Sequence, residues 1–436
     1  MTKLEEMIQG HPIPKVCKIH QSFDRTRLDD PEEKLARLWA ERDIPIRPGM
    51  RIAITGGSRG IAGYARVMKT AVELVKAKGG IPFIVPAMGS HGGGTAEGQE
   101  AILRHLGITQ ESVGAPIVSC MDVVEAARTE LGLPVYIDKN AYEADGIVLL
   151  NRVKSHTSIR EEYQSGLLKM MAIGLAKHKG AAMTHCLGAP NLGPNMVRVG
   201  KTALEHLNIV AGVAVIENAY EELADVYVLR KEEILAREPE ILKRAISMLP
   251  RIYVRDIDCL IVYEEGKNIS GTGMDPAVIG RPINRQPNTG PFVEALGLLR
   301  LTEQSEGNAN GCGMADFISR RLRAAVDEEA TWVNALTGMH PEIARLPIAL
   351  ANDRLVFQGC VKASGQLDQD RMRLVIIRNT NALGEIYVSR AALDSIQERD
   401  KIQVCSEFMD VPFDAAGNLC LFGAQAGEPP RERDRE

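Results

Sequence analysis

Short apolar runs rich in β-branched residues alternate with amphipathic stretches from Arg51 onward, a pattern typical of βαβ units around a parallel sheet. The apolar runs predict strands at residues 51–55, 81–87, 115–120 and 144–153. Helical spacing predicts helices at residues 63–78, 95–106 and 165–177, the second of them capped by Thr95. In open α/β sheets ligands bind beyond the carboxyl ends of the strands, so we expect the chemistry in the loops after these strands.

A second series of strands and helices follows a charged segment at residues 221–250, which is predicted to be helical. The series begins with "IDCLIVYEEG" and runs to about Phe422. We therefore expect an α/β protein of two α/β domains with largely parallel sheets and an active-site cleft between them. Residues 1–249 would form the catalytic and cofactor domain, and residues 250–436 would close the substrate site. The charged end "EPPRERDRE" predicts a flexible tail from about residue 426.

Composition excludes some classes of function. The 52 Lys and Arg residues are outnumbered by 57 Asp and Glu, and aromatic residues make up only 4% of the chain, which argues against nucleic-acid binding. No apolar run approaches the roughly 18 residues that span a bilayer, and no signal peptide is evident, so we expect a cytoplasmic protein without membrane contact. The eight cysteines are scattered singly, which favours reduced thiols.

The glycine-rich turn "ITGGSRGIAG" resembles the nucleotide-binding turn Thr-Gly-x-x-x-Gly-Ile-Gly of short-chain dehydrogenases. Ala62 replaces the last glycine of that pattern. The only Tyr-x-x-x-Lys spacing that could supply the catalytic pair of such an enzyme joins Tyr263 to Lys267, far downstream. An NAD(P)-dependent short-chain-type dehydrogenase is therefore kept as the alternative function.

Two histidines follow predicted strands directly. His91 lies in a loop with four glycines, where backbone and imidazole can both approach a ligand. His156 lies in a polar turn with Lys154 and Arg160 nearby. Histidine can act as acid or base near neutral pH, so His91 and His156 are the candidate acid/base residues, although a lone histidine is more often structural.

One lysine and two further histidines follow. Lys169 lies in an apolar run after Ser165 and Gly166; it either extends its ammonium to solvent or is desolvated, in which case its pKa falls and it becomes a nucleophile. His178, between two lysines, is expected at a solvated helix end. His185 lies in an apolar setting next to Cys186 and is the better candidate for a metal ligand, although no familiar zinc spacing is present.

Together these loops resemble the nickel-dependent lactate racemase family, whose members use a nickel-pincer nucleotide cofactor. The resemblance covers mainly residues 45–190. "GSHG" is similar to the family's Gly-x-His-Arg loop and "KSHT" to its Pro-His loop, which implies that His91 and His156 are the two catalytic residues. "SGLLK" is similar to the family's SGGxK turn, which implies that Lys169 carries the cofactor covalently, beside Ser165 and Gly166. His185 would then complete the coordination of nickel.

The same resemblance gives the glycine-rich turn another role. The family's first strand ends in Asp-x-Thr-Arg, whose arginine holds the substrate carboxylate; the matching residues here run from Gly56 to Arg59. This implies substrate binding by Arg59 and cofactor binding by Ser58. The implied activity is racemisation or epimerisation of a 2-hydroxy acid by reversible hydride transfer to the cofactor.

The chain also departs from the family pattern. Gly92 replaces the arginine after the first catalytic histidine, and Gly56 replaces the acidic residue, which suggests a small-molecule 2-hydroxy acid other than lactate. A non-catalytic carboxylate-binding relative therefore stays open, as does a homo-oligomer. In the second domain, Arg281, Lys267 and Asp275 are candidates to line the site, although a solvated loop is the default expectation for each.

Overall fold

The computed structural model of the protein describes residues 2–157, 159–185, 188, 191–283, 286–366 and 368–422, with His185 described in its backbone alone. The tail expected from about residue 426 lies outside these residues. The chain forms two compact units, one of Asp24–Leu249 and the other of Met1–Phe23 with Pro250–Glu436. Each unit combines helices with a largely parallel sheet, which confirms the predicted fold class.

In chain order, the strands of the described residues are β1 (Val16–Gln21), β2 (Arg51–Gly56), β3 (Ile81–Pro86), β4 (Val123–Arg128), β5 (Pro134–Asp138), β6 (Gly146–Arg152), β7 (Ile209–Glu217), β8 (Leu223–Leu229), β9 (Asp256–Glu265), β10 (Phe292–Leu301), β11 (Phe317–Ser319), β12 (Ile348–Leu350), β13 (Leu374–Ile377), β14 (Glu385–Ser389) and β15 (Ile402–Val404).

The helices are α1 (Lys3–Ile8), α2 (Pro31–Ala40), α3 (Tyr64–Ala77), α4 (Ala96–His105), α5 (Gln110–Val113), α6 (Lys139–Tyr142), α7 (Leu167–Lys169), α8 (Lys177–His185), α9 (Leu192–His206), α10 (Ile234–Ser247), α11 (Pro276–Ile279), α12 (Arg320–Ala325), α13 (Glu328–Thr337), α14 (Asp353–Ser364) and α15 (Arg390–Ser395). A π-helix, Met170–Gly174, follows α7 directly. None of the helices in the described part of the chain is long and apolar enough to cross a membrane.

The unit Asp24–Leu249 is built on a sheet whose described strands run in the order β3-β2-β6-β7-β8. All neighbouring pairs are parallel except β7 with β8. The interior strands are buried on both faces, which explains why they are continuous apolar runs in the sequence. Because β2, β3 and β6 are parallel, the loops after Gly56, Pro86 and Arg152 leave the same edge of this sheet.

Most predicted elements of this unit are present. Strands β2, β3 and β6 and helices α3 and α4 lie where the patterns predicted them, and the Thr95 hydroxyl caps α4 by accepting from the Gly98 N–H at 3.1 Å. The predicted strand at residues 115–120 is wrong, because only Ile117 forms an isolated bridge, to Ile84 of β3. The segment 221–250 is not wholly helical either, since it begins with β8, whose apolar residues extend the sheet before α10.

The helix predicted at residues 165–177 is divided into α7, the π-helix and the start of α8. The division falls where the chain packs against Ala87, the residue after β3. A Cβ on Gly174 would lie 2.6 Å from the Ala87 carbonyl oxygen, so glycine is required at this close approach. A tertiary contact therefore overrides the helical pattern here, and π-turns of this kind are frequent at functional sites.

The other unit has an eight-stranded sheet among its described strands, in the order β12-β11-β10-β9-β13-β14-β1-β15. Strands β9 to β13 are parallel to one another, and β14, β1 and β15 are antiparallel. The sequence analysis placed residues 1–249 in the first domain, but β1 pairs with β14 and β15 in this second sheet. The first 23 residues join this unit because the apolar side chains of β1 are buried in its core.

Candidate functional site

The turn after β2 packs against the helical segment that carries Lys169. The Gly57 N–H donates to the Tyr64 hydroxyl at 2.6 Å, and a Cβ on Gly57 would meet the Met170 methyl at 3.6 Å. At the other end of the turn, the Ala62 N–H donates to a carboxylate oxygen of Glu217 at 2.7 Å. These contacts fix both ends of the turn and leave Arg59 exposed at its tip.

The loop after β3 is fixed by backbone contacts on both sides of His91. The Gly89 N–H donates to the Gly174 carbonyl at 3.1 Å, and the Gln99 side-chain amide donates to the Gly89 carbonyl at 2.8 Å and to the His91 carbonyl at 3.4 Å. Gly92 has a φ of 66° and its Cβ would lie 2.5 Å from the backbone of Gly98. No side chain fits at this position, which explains why glycine stands where the resembled family has arginine.

A fully buried lysine, Lys177, contacts the residues that hold this loop. The Lys177 ammonium donates to the Pro86 carbonyl at 2.5 Å and to the Gln99 side-chain oxygen at 3.0 Å, and it forms an ion pair of 3.1 Å with Asp138. Its backbone adopts a left-handed conformation with a φ of 53°, which is uncommon for a residue with a side chain. Lys177 therefore joins the end of β3, helix α4 and strand β5 at one point.

The loop after β6 is closed by paired backbone groups of Lys154 and Ser165. Inside it, the His156 N–H donates to the Gln164 side-chain oxygen at 2.9 Å, and the Arg160 guanidinium donates to the His156 carbonyl. The backbone on both sides of His156 is thus held by side chains of the same loop. This closure holds the backbone of the histidine although the described residues between Lys154 and Ser165 form neither a helix nor a strand.

Helix α7 begins at a buried carboxyl group. Glu238 of α10 accepts from the Leu168 N–H at 3.0 Å with one oxygen, while the other has no hydrogen-bond partner among the described residues. A Cβ on Gly166 would lie 2.1 Å from that second oxygen, so glycine is needed for the carboxyl to approach. The Asn151 side-chain amide donates to the Gly166 carbonyl at 2.8 Å. Burial raises the pKa of Glu238 to about 7, against the lowering effect of its backbone donors.

The electrostatics show that four predicted site residues lie close together. Burial, followed by the charge of Arg59, lowers the pKa of Lys169 to about 8. Burial, then the charges of Arg59 and Lys169, lowers the pKa of His91, although that residue keeps part of its surface exposed. Burial, then Lys169 and Lys154, holds the pKa of His156 well below its ordinary value. Arg59 therefore acts electrostatically on the other three residues, and Lys169 acts on both histidines.

This arrangement is suited to an anionic ligand. In the part of the chain that the structure describes, the side chains of Arg59 and Lys169 have neither a hydrogen bond nor an ion pair with protein groups. The nearby Arg152 forms an ion pair with Glu217, so its positive charge is already balanced within the protein. The lowered pKa values of both histidines favour their uncharged form. The site thus combines unneutralised cations with two neutral bases.

The positions of the other predicted site residues say less about their function. Ser165 and Gly166 directly precede α7, with Gly166 at its N-cap, and Ser58 lies in the turn beside Arg59. His185 ends α8, and its side chain lies outside the described residues, so its role as a metal ligand stays a prediction. Within the described residues, no group of three or more His, Cys, Asp or Glu side chains is close enough to hold a metal ion. His178 is exposed, as expected, and lies beside Gly94 of the His91 loop.

Sequence reasoning missed the supporting residues. Lys177 was noted only as a flank of His178, and Gln99, Asp138 and Glu238 were not singled out. A polar residue in a charged or amphipathic segment is usually solvated, so the sequence around Lys177 or Glu238 carries no signal of burial. Gln99 was at least placed correctly, on the helix that follows the His91 loop.

Comparisons with known proteins add the following. Residues 52–234 match the model of a family described as "Domain of unknown function (DUF362)". No curated protein matches the chain in sequence. Among solved structures, the chain is similar to a structural-genomics protein from Thermotoga maritima, with 14% identity and a TM-score of 0.46, over 76% of this chain and 83% of that one. It is also similar to the lactate racemase apoprotein from Thermoanaerobacterium thermosaccharolyticum, with 12% identity and a TM-score of 0.47, over 84% and 89%.

Proposed function

We propose that the protein is a racemase or epimerase of a 2-hydroxy acid whose active site is formed by Arg59, His91, His156 and Lys169. The observation that supports this proposal is that the loops after three parallel strands leave one edge of the sheet, where the charges of Arg59 and Lys169 act on both histidines. Inversion of a carbon that bears a hydroxyl group requires a base for the hydroxyl proton and a group that holds the acid in place. The four residues supply both kinds of group.

Arg59 is the residue proposed to bind the substrate carboxylate. Its guanidinium is exposed and has no acidic partner among the described residues, so a bidentate pair with a carboxylate costs no existing protein contact. The turn that carries it is fixed at Gly57 and Ala62. Such fixation limits the ways in which the substrate can lie against the two histidines.

His91 and His156 are proposed to hold the hydroxyl proton and return it. A base must be unprotonated before it can accept a proton, and the lowered pKa values keep both imidazoles neutral at pH 7. The backbone of each is fixed, His91 through Gln99 and His156 through Gln164. Either histidine can therefore take up the proton at its ring nitrogen without a change in the loop.

The proposal includes a nickel-pincer nucleotide attached to Lys169, which when bound would supply the acceptor for the substrate hydride. The residues present fit its attachment. A lysine with a pKa near 8 offers a free amine at neutral pH far more often than an ordinary lysine, as formation of an amide-like bond requires. The positive charge of Arg59, which acts on Lys169, suits a phosphate group. His185 is the proposed nickel ligand.

The dehydrogenase alternative is less well supported by the turn after β2. A pyrophosphate at such a turn binds to backbone N–H groups. Here the Gly57 and Ala62 N–H groups already donate to the Tyr64 hydroxyl and to Glu217.

The test is to produce the protein together with enzymes that synthesise the cofactor and to measure its intact mass and its metal content. We expect a covalent adduct at Lys169, about one nickel per chain, and loss of optical purity with at least one chiral 2-hydroxy acid. Lys169→Arg, which keeps the charge, should carry no adduct and show no turnover. An unmodified mass with no turnover would contradict the proposal. A 2-hydroxy acid that binds without turnover would identify a carboxylate-binding relative instead.

A further inference from the structure

A second site of interest lies in the unit formed by residues 1–23 and 250–436. Glu265 is the last residue of β9, at the carboxyl end of a central parallel strand, and its side chain is completely buried. Neither of its carboxyl oxygens has a hydrogen-bond partner among the described residues. An ionised carboxylate in such a place is costly unless a positive charge or several donors compensate it.

A second orphaned acceptor lies beside it. Asn310 follows the neighbouring strand β10 in the chain, is 5% exposed, and its side-chain oxygen also has no partner among the described residues. The position of a Cβ on Gly273 would be 2.6 Å from Glu265 Oε2 and 3.0 Å from the Asn310 carbonyl oxygen. The Glu265 carboxyl and the backbone carbonyl of Asn310 thus both lie against Gly273, so the two loops meet at this glycine.

Two glycines pack against the Glu265 carboxyl. Gly273 and Gly311 have φ values of 70° and 133°, which favour glycine, and a Cβ on Gly311 would lie 3.2 Å from Glu265 Oε2. The absence of side chains at both positions lets the backbone approach the carboxyl closely. Close backbone approach to a ligand is a common reason for glycine in loops.

Lys267 does not serve as a direct counter-ion. Its ammonium donates to the Gly271 carbonyl at 2.5 Å and to the Asn334 side-chain oxygen at 2.6 Å. It is therefore not in a solvated loop, contrary to the sequence-based expectation. Its charge favours ionisation of Glu265, but burial has the larger effect and raises the pKa of that carboxyl well above its ordinary value.

We propose that the Glu265 carboxylate and the side-chain oxygen of Asn310 bind a monovalent alkali cation, Na⁺ or K⁺, at the ends of β9 and β10. The donors are all oxygen atoms, which suits a hard cation and does not suit zinc or nickel. One carboxylate balances one positive charge. A divalent ion would leave additional positive charge in a buried place next to Lys267, so a monovalent ion fits better. This site is independent of the function proposed for the other unit.

The experiment compares thermal unfolding of the full chain in KCl, NaCl and choline chloride at equal ionic strength. A ligand that binds only the folded state raises the melting temperature with its concentration. We expect the wild-type protein to melt several degrees higher in KCl or NaCl than in choline chloride. Asn310→Ala should need about ten times more cation for the same rise, since one ligand is lost.

Glu265→Gln is the decisive variant. It keeps the shape of the side chain and removes the charge, so it should fold, unfold at the same temperature in all three salts, and be at least as stable as wild type in choline chloride. Glu264→Gln is the matched control, because Glu264 is the adjacent residue and pairs instead with Arg378. It should keep the full response to K⁺ and Na⁺.

A direct measurement complements this one. Crystals grown in RbCl should show an anomalous peak bonded to Glu265 in the wild-type protein and none there in Glu265→Gln. Equal melting temperatures of the wild-type protein in all three salts would overturn the proposal and show that Glu265 is a buried neutral acid. A response to cations that survives in Glu265→Gln, or an anomalous peak only at other residues, would overturn it as well.

Discussion

The Lys177 ammonium and the Asp138 carboxylate form an ion pair of 3.1 Å in which neither side chain reaches solvent. Asp138 also accepts from the Ala141 N–H at 3.0 Å, and Lys177 donates to Pro86 and Gln99. Both charges are thus compensated by hydrogen bonds in addition to each other. Since Gln99 in turn holds the His91 carbonyl, the pair lies one residue away from a proposed catalytic loop.

Removal of one partner of this pair should be more harmful than removal of both. Asp138→Ala leaves the Lys177 charge buried without its counter-ion, and we expect a loss of about 3–5 kcal/mol in the free energy of unfolding. The double variant Asp138→Leu with Lys177→Met removes both charges and should lose much less. Urea denaturation of the three proteins measures the difference. Equal losses in the single and double variants would show that packing, and not the charge, matters here.

The glycines of the His91 loop should differ in their tolerance of a side chain. Gly92→Ala combines an unfavourable φ of 66° with a Cβ 2.5 Å from backbone, whereas Gly93→Ala has a similar φ of 65° but nothing within 4 Å. We expect Gly93→Ala to cost about 1–2 kcal/mol of unfolding free energy and Gly92→Ala clearly more. Equilibrium denaturation tests this, and identical costs would contradict the close contact at Gly92.

Lys169 should react with acylating reagents at lower pH than other lysines. With a pKa of about 8, its amine is half deprotonated near that pH, and its rate of modification should rise with a midpoint there. Arg59→Gln removes a neighbouring positive charge and should shift the midpoint upward. Peptide mass spectrometry across a pH series gives the midpoint. Arg104→Gln, an exposed arginine paired with Glu100, is the control and should leave it unchanged. A wild-type midpoint near 10.5 would exclude desolvation of Lys169.

Glu238 should make the protein less stable as pH rises through the weakly acidic range. Its pKa is about 4.5 when unfolded and about 7 when folded, so the folded state binds the proton more tightly. The resulting stability is present below pH 4.5 and is lost as pH rises to about 7, by roughly 3 kcal/mol at most. Glu238→Gln should lack this decline, whereas Glu240→Gln, on the same helix but exposed, should keep it. The free energies of unfolding of the wild-type protein and both variants are measured from pH 4.5 to 8. Parallel curves for the wild-type protein and Glu238→Gln would show that Glu238 does not cause the decline.

The sequence predicted which loops the candidate site residues occupy, but it did not predict the buried residues that hold those loops in place. Parallel strands were recognisable as apolar runs, and the common edge of a parallel sheet brings the residues after them together, which is why Arg59, His91 and His156 could be grouped. The burial of Lys177 depends on partners 78 and 91 residues away, Gln99 and Pro86, and no local pattern reports such contacts. The division of the helix after Gly166 likewise depends on the contact of Gly174 with Ala87.

The placement of β1 was missed for the same reason. Its partners, β14 and β15, lie more than 350 residues downstream, so proximity in sequence gave the wrong domain. The partners of charged residues in the second unit were also not predicted. Asp275 caps α11 and Arg281 pairs with Asp316 at 2.7 Å, and both contacts involve loops whose conformations local propensity does not determine.

The pairing of β1 also bears on how the protein is made. Val16–Gln21 is synthesised more than 350 residues before β14 and β15, so its hydrogen bonds to these strands cannot form until they have left the ribosome. Asp24–Leu249, by contrast, is continuous in the chain and can fold on the ribosome while the rest is still being synthesised. Of the described strands of this sheet, the one synthesised first is therefore among the last to be paired.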